Sequence, residues 1–164
     1  MGNVPRIVMI AVAAIAVVFS YSISPGIAAD NPKIAAAMHE LKQETAALGK
    51  PKLEGETLYF GATKINGDYT VVDAVKTKFS ATATLFVKKG SNFVRISTNV
   101  LRDGQRAVGS NLDPSGPAYA ALNTGGSFYG LVDILGTIYD TGYEPIKSDS
   151  GEIIGGYYVG FAQE

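Results

Sequence analysis

Apolar residues recur along this chain with two different periods. Ile34, Met38, Leu41 and Leu48, with Thr45 between the last two, are spaced by fours and threes and draw one stripe down a helix. Asp30-Asn31-Pro32 supplies a capping side chain and a first-turn proline for its start. Gly49 and Pro51 mark its end near Leu48. The stripe has two uses: packing on the chain's own sheet, or forming a homodimer through the 33–48 helix. The helix is too short for a self-sufficient coiled coil, which favours packing.

Thr57 to Ile65 predicts a strand, and Asn66-Gly67 a turn. Asp68 can cap a second helix with Val71, Val72, Val75 and Phe79 on one face. Period two then takes over. Ala81–Lys88 and Asn92–Val100 read as strands joined at Gly90-Ser91. A loop rich in Gly, Asp, Ser and Pro covers 101–116, and a short helix runs from Pro117 to about Leu122. Phe128–Leu135 and Ile138–Ile146 form a second hairpin around Gly136-Thr137, and Glu152–Phe161 a last strand. Helices and antiparallel strands in this order predict an α+β domain.

Pairing across Gly90-Ser91 sorts the first hairpin into two faces. Val87 with Val94, Leu85 with Ile96 and Ala83 with Thr98 make a face for helix packing. Phe86 with Arg95, Thr84 with Ser97 and Thr82 with Asn99 make the other. Solvated strand faces usually carry Lys and Glu. Here lysine is confined to the tip, at Lys88 and Lys89, so short hydroxyls beside one arginine suit a small polar cavity. In the second hairpin, pairing around Gly136-Thr137 puts Tyr139, Thr141 and Tyr143 on one face, as core or pocket wall. It also sets Asp133 opposite Asp140, an unfavourable pair that a cation, solvent or another register must relieve.

The first 29 residues change the picture of the compartment. Arg6 precedes an unbroken apolar run of 13 residues, Ile7–Phe19, and Ile27-Ala28-Ala29 resembles a cleavage site. A spanning helix needs about 20 apolar residues, so a cleaved signal peptide is expected over 1–29, with an uncleaved anchor as the alternative. The remaining 135 residues, 30–164, form one domain. The expected location is periplasmic or secreted; with an anchor it would be the inner membrane, facing the periplasm.

Composition removes several kinds of chemistry. The chain has no cysteine and one histidine, which argues against thiolate metal sites, disulfides, a thiol nucleophile and histidine-rich metal sites. A net charge of −1 gives no sign of a nucleic-acid binder. His39 lies between Met38 and Glu40 in the first helix, acidic residues are scattered in turns, and no glycine pair opens a phosphate loop. An enzyme, a cofactor and a metal site are therefore not expected.

An ordered series of segments carries a resemblance. Phe93-Val94-Arg95-Ile96-Ser97-Thr98-Asn99-Val100, Gln105–Gly109 and Pro117-Ala118-Tyr119 come first. Tyr129-Gly130, Asp133–Gly136, Tyr139–Ile146, Gly151–Gly155 and Tyr158-Val159-Gly160 follow. Together, over about residues 33–160, they resemble the Cache sensor domains of bacterial chemoreceptors and histidine kinases, of the single Cache or Cache 3/Cache 2 fusion type. The resemblance implies a PAS-like fold: a long N-terminal helix packed on a central antiparallel sheet of five to six strands. It also implies a small-molecule ligand on the sheet face away from that helix. The chain ends soon after its last strand, so it looks like a stand-alone Cache protein passing its signal through a separate membrane signalling protein.

On that face the candidate ligand-binding residues are Arg95, Ser97, Asn99, Phe86, Thr84, Tyr139, Thr141 and Tyr143, with Arg106 closing from the loop. A guanidinium fork matches a carboxylate, and no acidic residue stands between the two strands, so a small organic acid is the expected ligand. An internal salt bridge from Arg95 to Glu144 would explain the arginine without one. A structural or protein-interaction module with the same fold and no ligand is the competing reading.

Overall fold

A computed structural model of the protein describes residues 31–163. The leader expected over 1–29 lies outside the described residues. Helix α1 spans Pro32–Leu48, and the Asn31 side chain accepts a hydrogen bond from the Lys33 N–H at its start. Ile34, Met38, Leu41 and Thr45 are buried against the chain's own sheet. The stripe is therefore consumed inside the fold, and a dimer seam built on it has only half-exposed Leu48 left.

After α1 come three short strands, β1 (Pro51–Glu54), β2 (Thr57–Phe60) and β3 (Thr63–Lys64), which form a small antiparallel sheet. One strand over Thr57–Ile65 was expected there. Gly61 breaks it: its φ is +59°, and a Cβ would lie 2.2 Å from the Leu48 carbonyl oxygen. Only glycine lets the chain turn that close to the end of α1. Helix α2 (Thr70–Phe79) buries Val71, Val72 and Val75, and the Asp68 carboxylate accepts from the Thr70 N–H at its entrance.

The main sheet has five antiparallel strands: β4 (Thr82–Lys89), β5 (Asn92–Thr98), β8 (Phe128–Ile134), β9 (Thr137–Lys147) and β10 (Ile153–Ala162). Their order is β5-β4-β10-β9-β8, so the last strand of the chain lies at the centre. Between β5 and β8 the chain makes a small hairpin, β6 (Leu101–Arg102) and β7 (Gln105–Arg106), and then helix α3 (Pro117–Asn123). Helices α1 and α2 cover one face of the sheet, where Ala83, Leu85, Val87, Ile96, Ile146, Ile154 and Val159 join the core. The segment 100–122 covers the other, closing Val100, Ala107, Leu112, Ala118 and Leu122 over Phe86, Tyr143 and Tyr158. This is the α+β, PAS-like architecture the sequence predicts.

Both hairpins depart from the expected registers. In the first, Lys89 faces Asn92, Val87 faces Val94 and Phe86 faces Arg95, as expected. A bulge then intervenes, and Leu85 faces Ser97 while Thr84 faces Thr98. One inserted residue reverses the facing of everything beyond it. In the second hairpin the turn is Leu135-Gly136, both with positive φ, instead of Gly136-Thr137. The register moves by two residues, so the faces survive. Asp133 now lies opposite Ile138 and Asp140 opposite Leu131, and the clash of two carboxylates disappears.

Candidate functional site

The bulge decides which polar groups reach the face away from α1. Arg95 precedes it and points to that face, with its guanidinium carbon 5.1 Å from the centre of the Phe86 ring. Ser97 and Asn99 follow it and turn to the helix side, which corrects their placement beside Arg95. There Ser97 donates to the Asp68 carbonyl at 2.5 Å. The Asn99 amide donates to the Val72 carbonyl at 2.6 Å, and its oxygen accepts from the Ala83 N–H at 2.8 Å. Both side chains anchor the entry and first turn of α2 to the sheet edge, so their polar groups are occupied by backbone. Thr98 takes the vacated place: its hydroxyl meets that of Thr84 at 2.6 Å.

Arg106 is also placed elsewhere. It forms a two-pronged pair with Asp73 of α2, both contacts at 2.8 Å, and donates to the Thr98 carbonyl. Its guanidinium stacks on Tyr69 at 4.3 Å. The donor edge it would offer a ligand is already taken by the Asp73 carboxylate, and that hydrogen bond holds its pKa above the ordinary value.

Around Arg95 the remaining candidates converge. Phe86, Thr84, Thr141 and Tyr143 are all fully buried on this face, and Tyr139 is half-buried at its margin. The Tyr143 ring packs on Tyr158 at 4.9 Å, Phe128 at 6.3 Å and Phe86 at 6.4 Å. Thr141 is tied down by donating to the Gly130 carbonyl at 2.6 Å, and Tyr158 meets the Thr82 hydroxyl at 2.8 Å. Sequence reasoning missed four members: Thr98, Tyr158, Ser110 and Asn111. Tyr158 became visible only once β10 was known to lie between β4 and β9, because it faces Thr84 on one side and Tyr143 on the other.

Two polar atoms in this cluster have no partner. Arg95 is only 5% exposed. Its Nη1 donates to the Ser110 hydroxyl and the Asn111 carbonyl, each at 3.0 Å, but its Nε–H is buried and unbonded. The Tyr143 hydroxyl is likewise buried and unbonded. Among the described residues no carboxylate forms an ion pair with Arg95. Glu144, the expected internal partner, is held on the opposite face by Lys42 and the Tyr129 hydroxyl. Burial therefore lowers the Arg95 pKa from its ordinary value, opposed by Tyr143 and Tyr158. Burial raises Tyr143, with Arg95 pulling the other way. A buried cation without a counter-charge and a buried hydroxyl without an acceptor are both costly.

The cover over this site is a strip of chain. Residues 109–112 run beside β5: Gly109 N–H donates to the Arg95 carbonyl at 2.8 Å, Arg95 N–H to Ser110 at 2.9 Å, and Leu112 N–H to Phe93 at 2.8 Å. On that strip, Ser110 also lines an open groove of about 360 Å³ together with Arg102, Gln105 and Arg106. A larger open groove of about 620 Å³ lies away from the aromatic cluster, between Lys50–Leu53 and Ser148–Glu152. Its polar groups are exposed, and Lys50 is already paired with Asp149. Among the described residues no cluster of acidic, histidine or cysteine side chains has metal-binding geometry.

The Cache 3/Cache 2 fusion domain family matches residues 27–164. Among solved structures, the sensor domain of DcuS from E. coli aligns with 81% of this chain and 78% of its own, at 16% identity and a TM-score of 0.42. No curated protein matches the chain.

Proposed function

The chain belongs to the Cache 3/Cache 2 fusion domain family of sensor domains, and on that premise we propose that it senses a small carboxylate outside the cytoplasm. The observation that carries this reading is the buried, unpaired Nε–H of Arg95 beside the unbonded Tyr143 hydroxyl. A carboxylate placed between them accepts from both and neutralises the guanidinium. Phe86, Tyr143 and Tyr158 wall the site, and the Thr84–Thr98 hydroxyl pair lies nearby on the same face. Ser110 and Asn111 hold Arg95 through Nη1, leaving the Nε edge of the fork for the ligand. Residues 107–112 must shift to admit it, and the outer groove beside Ser110 is the natural way in. Residues 1–29 act in this reading as a signal peptide, so the exported domain begins at Asp30, which intact mass would show. The signal leaves through a membrane protein that reads the domain's surface.

A specific observation also favours a second reading. Phe86, Phe93, Leu122, Tyr143 and Tyr158 fill much of the ligand face, as they would in an interaction module that binds nothing there.

A thermal-shift screen with organic acids, amino acids and amines separates the two. A ligand at 100 times its dissociation constant adds about 2.7 kcal/mol, which is several degrees at this size. Arg95→Ala should then weaken binding by roughly 2–5 kcal/mol. Arg95→Lys should recover only part, because the fork is lost. A cationic ligand, or equal affinity in Arg95→Ala, would overturn the carboxylate reading.

A further inference from the structure

The two edges of the five-stranded sheet are finished differently. At β5 the strip 109–112 takes up backbone groups of Phe93 and Arg95, so that edge is covered. At β8 no strand among the described residues pairs with the outer side. Proteins normally protect such an edge with lysine, proline, a bulge or a covering segment. Phe128–Ile134 has no lysine or proline, and its register with β9 runs without interruption. Its one charge is Asp133. Leu131, at its centre, is 64% exposed, the most exposed large apolar side chain of the described residues.

We propose that β8 pairs antiparallel with β8 of a second copy of this chain, on a two-fold axis through Leu131. The sequence is self-complementary about that point. Leu131 meets its own counterpart, and Gly130 meets Val132. Tyr129, whose hydroxyl stays on Glu144, meets Asp133, so no like charges oppose. Phe128 meets Ile134, giving an aromatic–aliphatic pair on the ligand face. Moving the axis to Asp133 would set two carboxylates together. The pairing covers the one open edge and joins two five-stranded sheets into one of ten. A seven-residue strand buries less than a standard interface, so the dimer forms at high local concentration instead of permanently. This inference is independent of the ligand reading and departs from the helix seam, whose apolar stripe is buried in the chain's own core.

The absence of cysteine makes the test direct. Single-cysteine variants of the full chain, Leu131→Cys, Leu135→Cys and Ala36→Cys, would be oxidised and read for covalent dimer. On the axis, directly opposed residues of antiparallel strands approach to roughly 4.5–5.5 Å between Cα atoms, within disulfide reach. Leu135 lies four residues from the axis, so its two copies are about 27 Å apart at about 3.4 Å per residue. The expected result is cross-linking of most Leu131→Cys chains, at least tenfold faster than either other variant. Leu131→Lys should raise the dimer dissociation constant at least tenfold in sedimentation equilibrium, because two ammonium groups would meet on the axis. Cross-linking of Leu131→Cys no faster than Leu135→Cys would overturn the proposal. So would preferential cross-linking of Ala36→Cys, which would assign the interface to the helix.

Discussion

The two faces of the five-stranded sheet hold buried polar groups on opposite terms. On the helix face, Asn99 and Ser97 sit among apolar neighbours, and the hydrogen bonds they make tie the sheet to the Val72 and Asp68 carbonyls. On the other face, Arg95 and Tyr143 are equally buried but each keeps an unbonded donor. The first face has these polar groups fully bonded; the second leaves two of them without a partner. On stability grounds alone, a buried unpaired cation gains the fold little over an apolar side chain of similar volume.

That contrast can be broken most forcefully at Asn99. Asn99→Ala leaves the Ala83 N–H unpaired inside the core and removes the tie to the Val72 carbonyl, so unfolding in urea should show a loss of about 1–3 kcal/mol. Arg95→Met should behave in the opposite way. Without ligand it should be neutral or more stable by about 1 kcal/mol, while losing all ligand-induced stabilisation. A large loss of stability in unliganded Arg95→Met would place Arg95 with Asn99, as a structural group. Tyr143→Phe sharpens the comparison on a smaller scale. Removing a hydroxyl with no partner should change unliganded stability by less than about 1 kcal/mol and still weaken the ligand.

The smallest effect is one of pH. The Thr70 N–H bonded to Asp68 lowers that carboxyl's pKa below its usual value. Its contribution is therefore present above the unfolded pKa, near 3.8, and is lost as pH falls through the lower folded value. Asp68→Ala should flatten the urea stability profile of the protein in that acidic window and leave its slope near neutral pH unchanged.

The sequence made the helices and the strands of the main sheet legible along the chain, though not their order within the sheet, because each rests on local signals. The Ile34–Leu48 stripe, the Gly90-Ser91 turn and the Pro117 helix start are all short-range patterns. The expected registers depended on counting residues outward from a turn, and there one inserted residue is enough to mislead. The bulge between Phe86 and Leu85 has no marker in the alternation, since Ser97, Thr98 and Asn99 are all small and polar on either assignment. That is why Arg95, before the bulge, was placed on the correct face, and Ser97 and Asn99 were not. The second hairpin slipped by two because Leu135 adopts a positive φ, a conformation that the sequence pattern assigns to glycine or asparagine. An even slip kept Tyr139, Thr141 and Tyr143 where they were expected. Arg106 was assigned to the ligand for a different reason: its partner Asp73 lies 33 residues away, on a helix whose docking only the tertiary fold determines.

The claim that Arg95 waits for an anion is tested most directly at its own Nε–H. Proton–nitrogen NMR of the protein should show one slowly exchanging arginine Nε–H resonance, assigned by its disappearance in Arg95→Lys. The account predicts that a binding carboxylate shifts this resonance in proportion to occupancy and slows its exchange with solvent further. A carboxylate that binds, by calorimetry, and leaves the Arg95 resonance unmoved would contradict it.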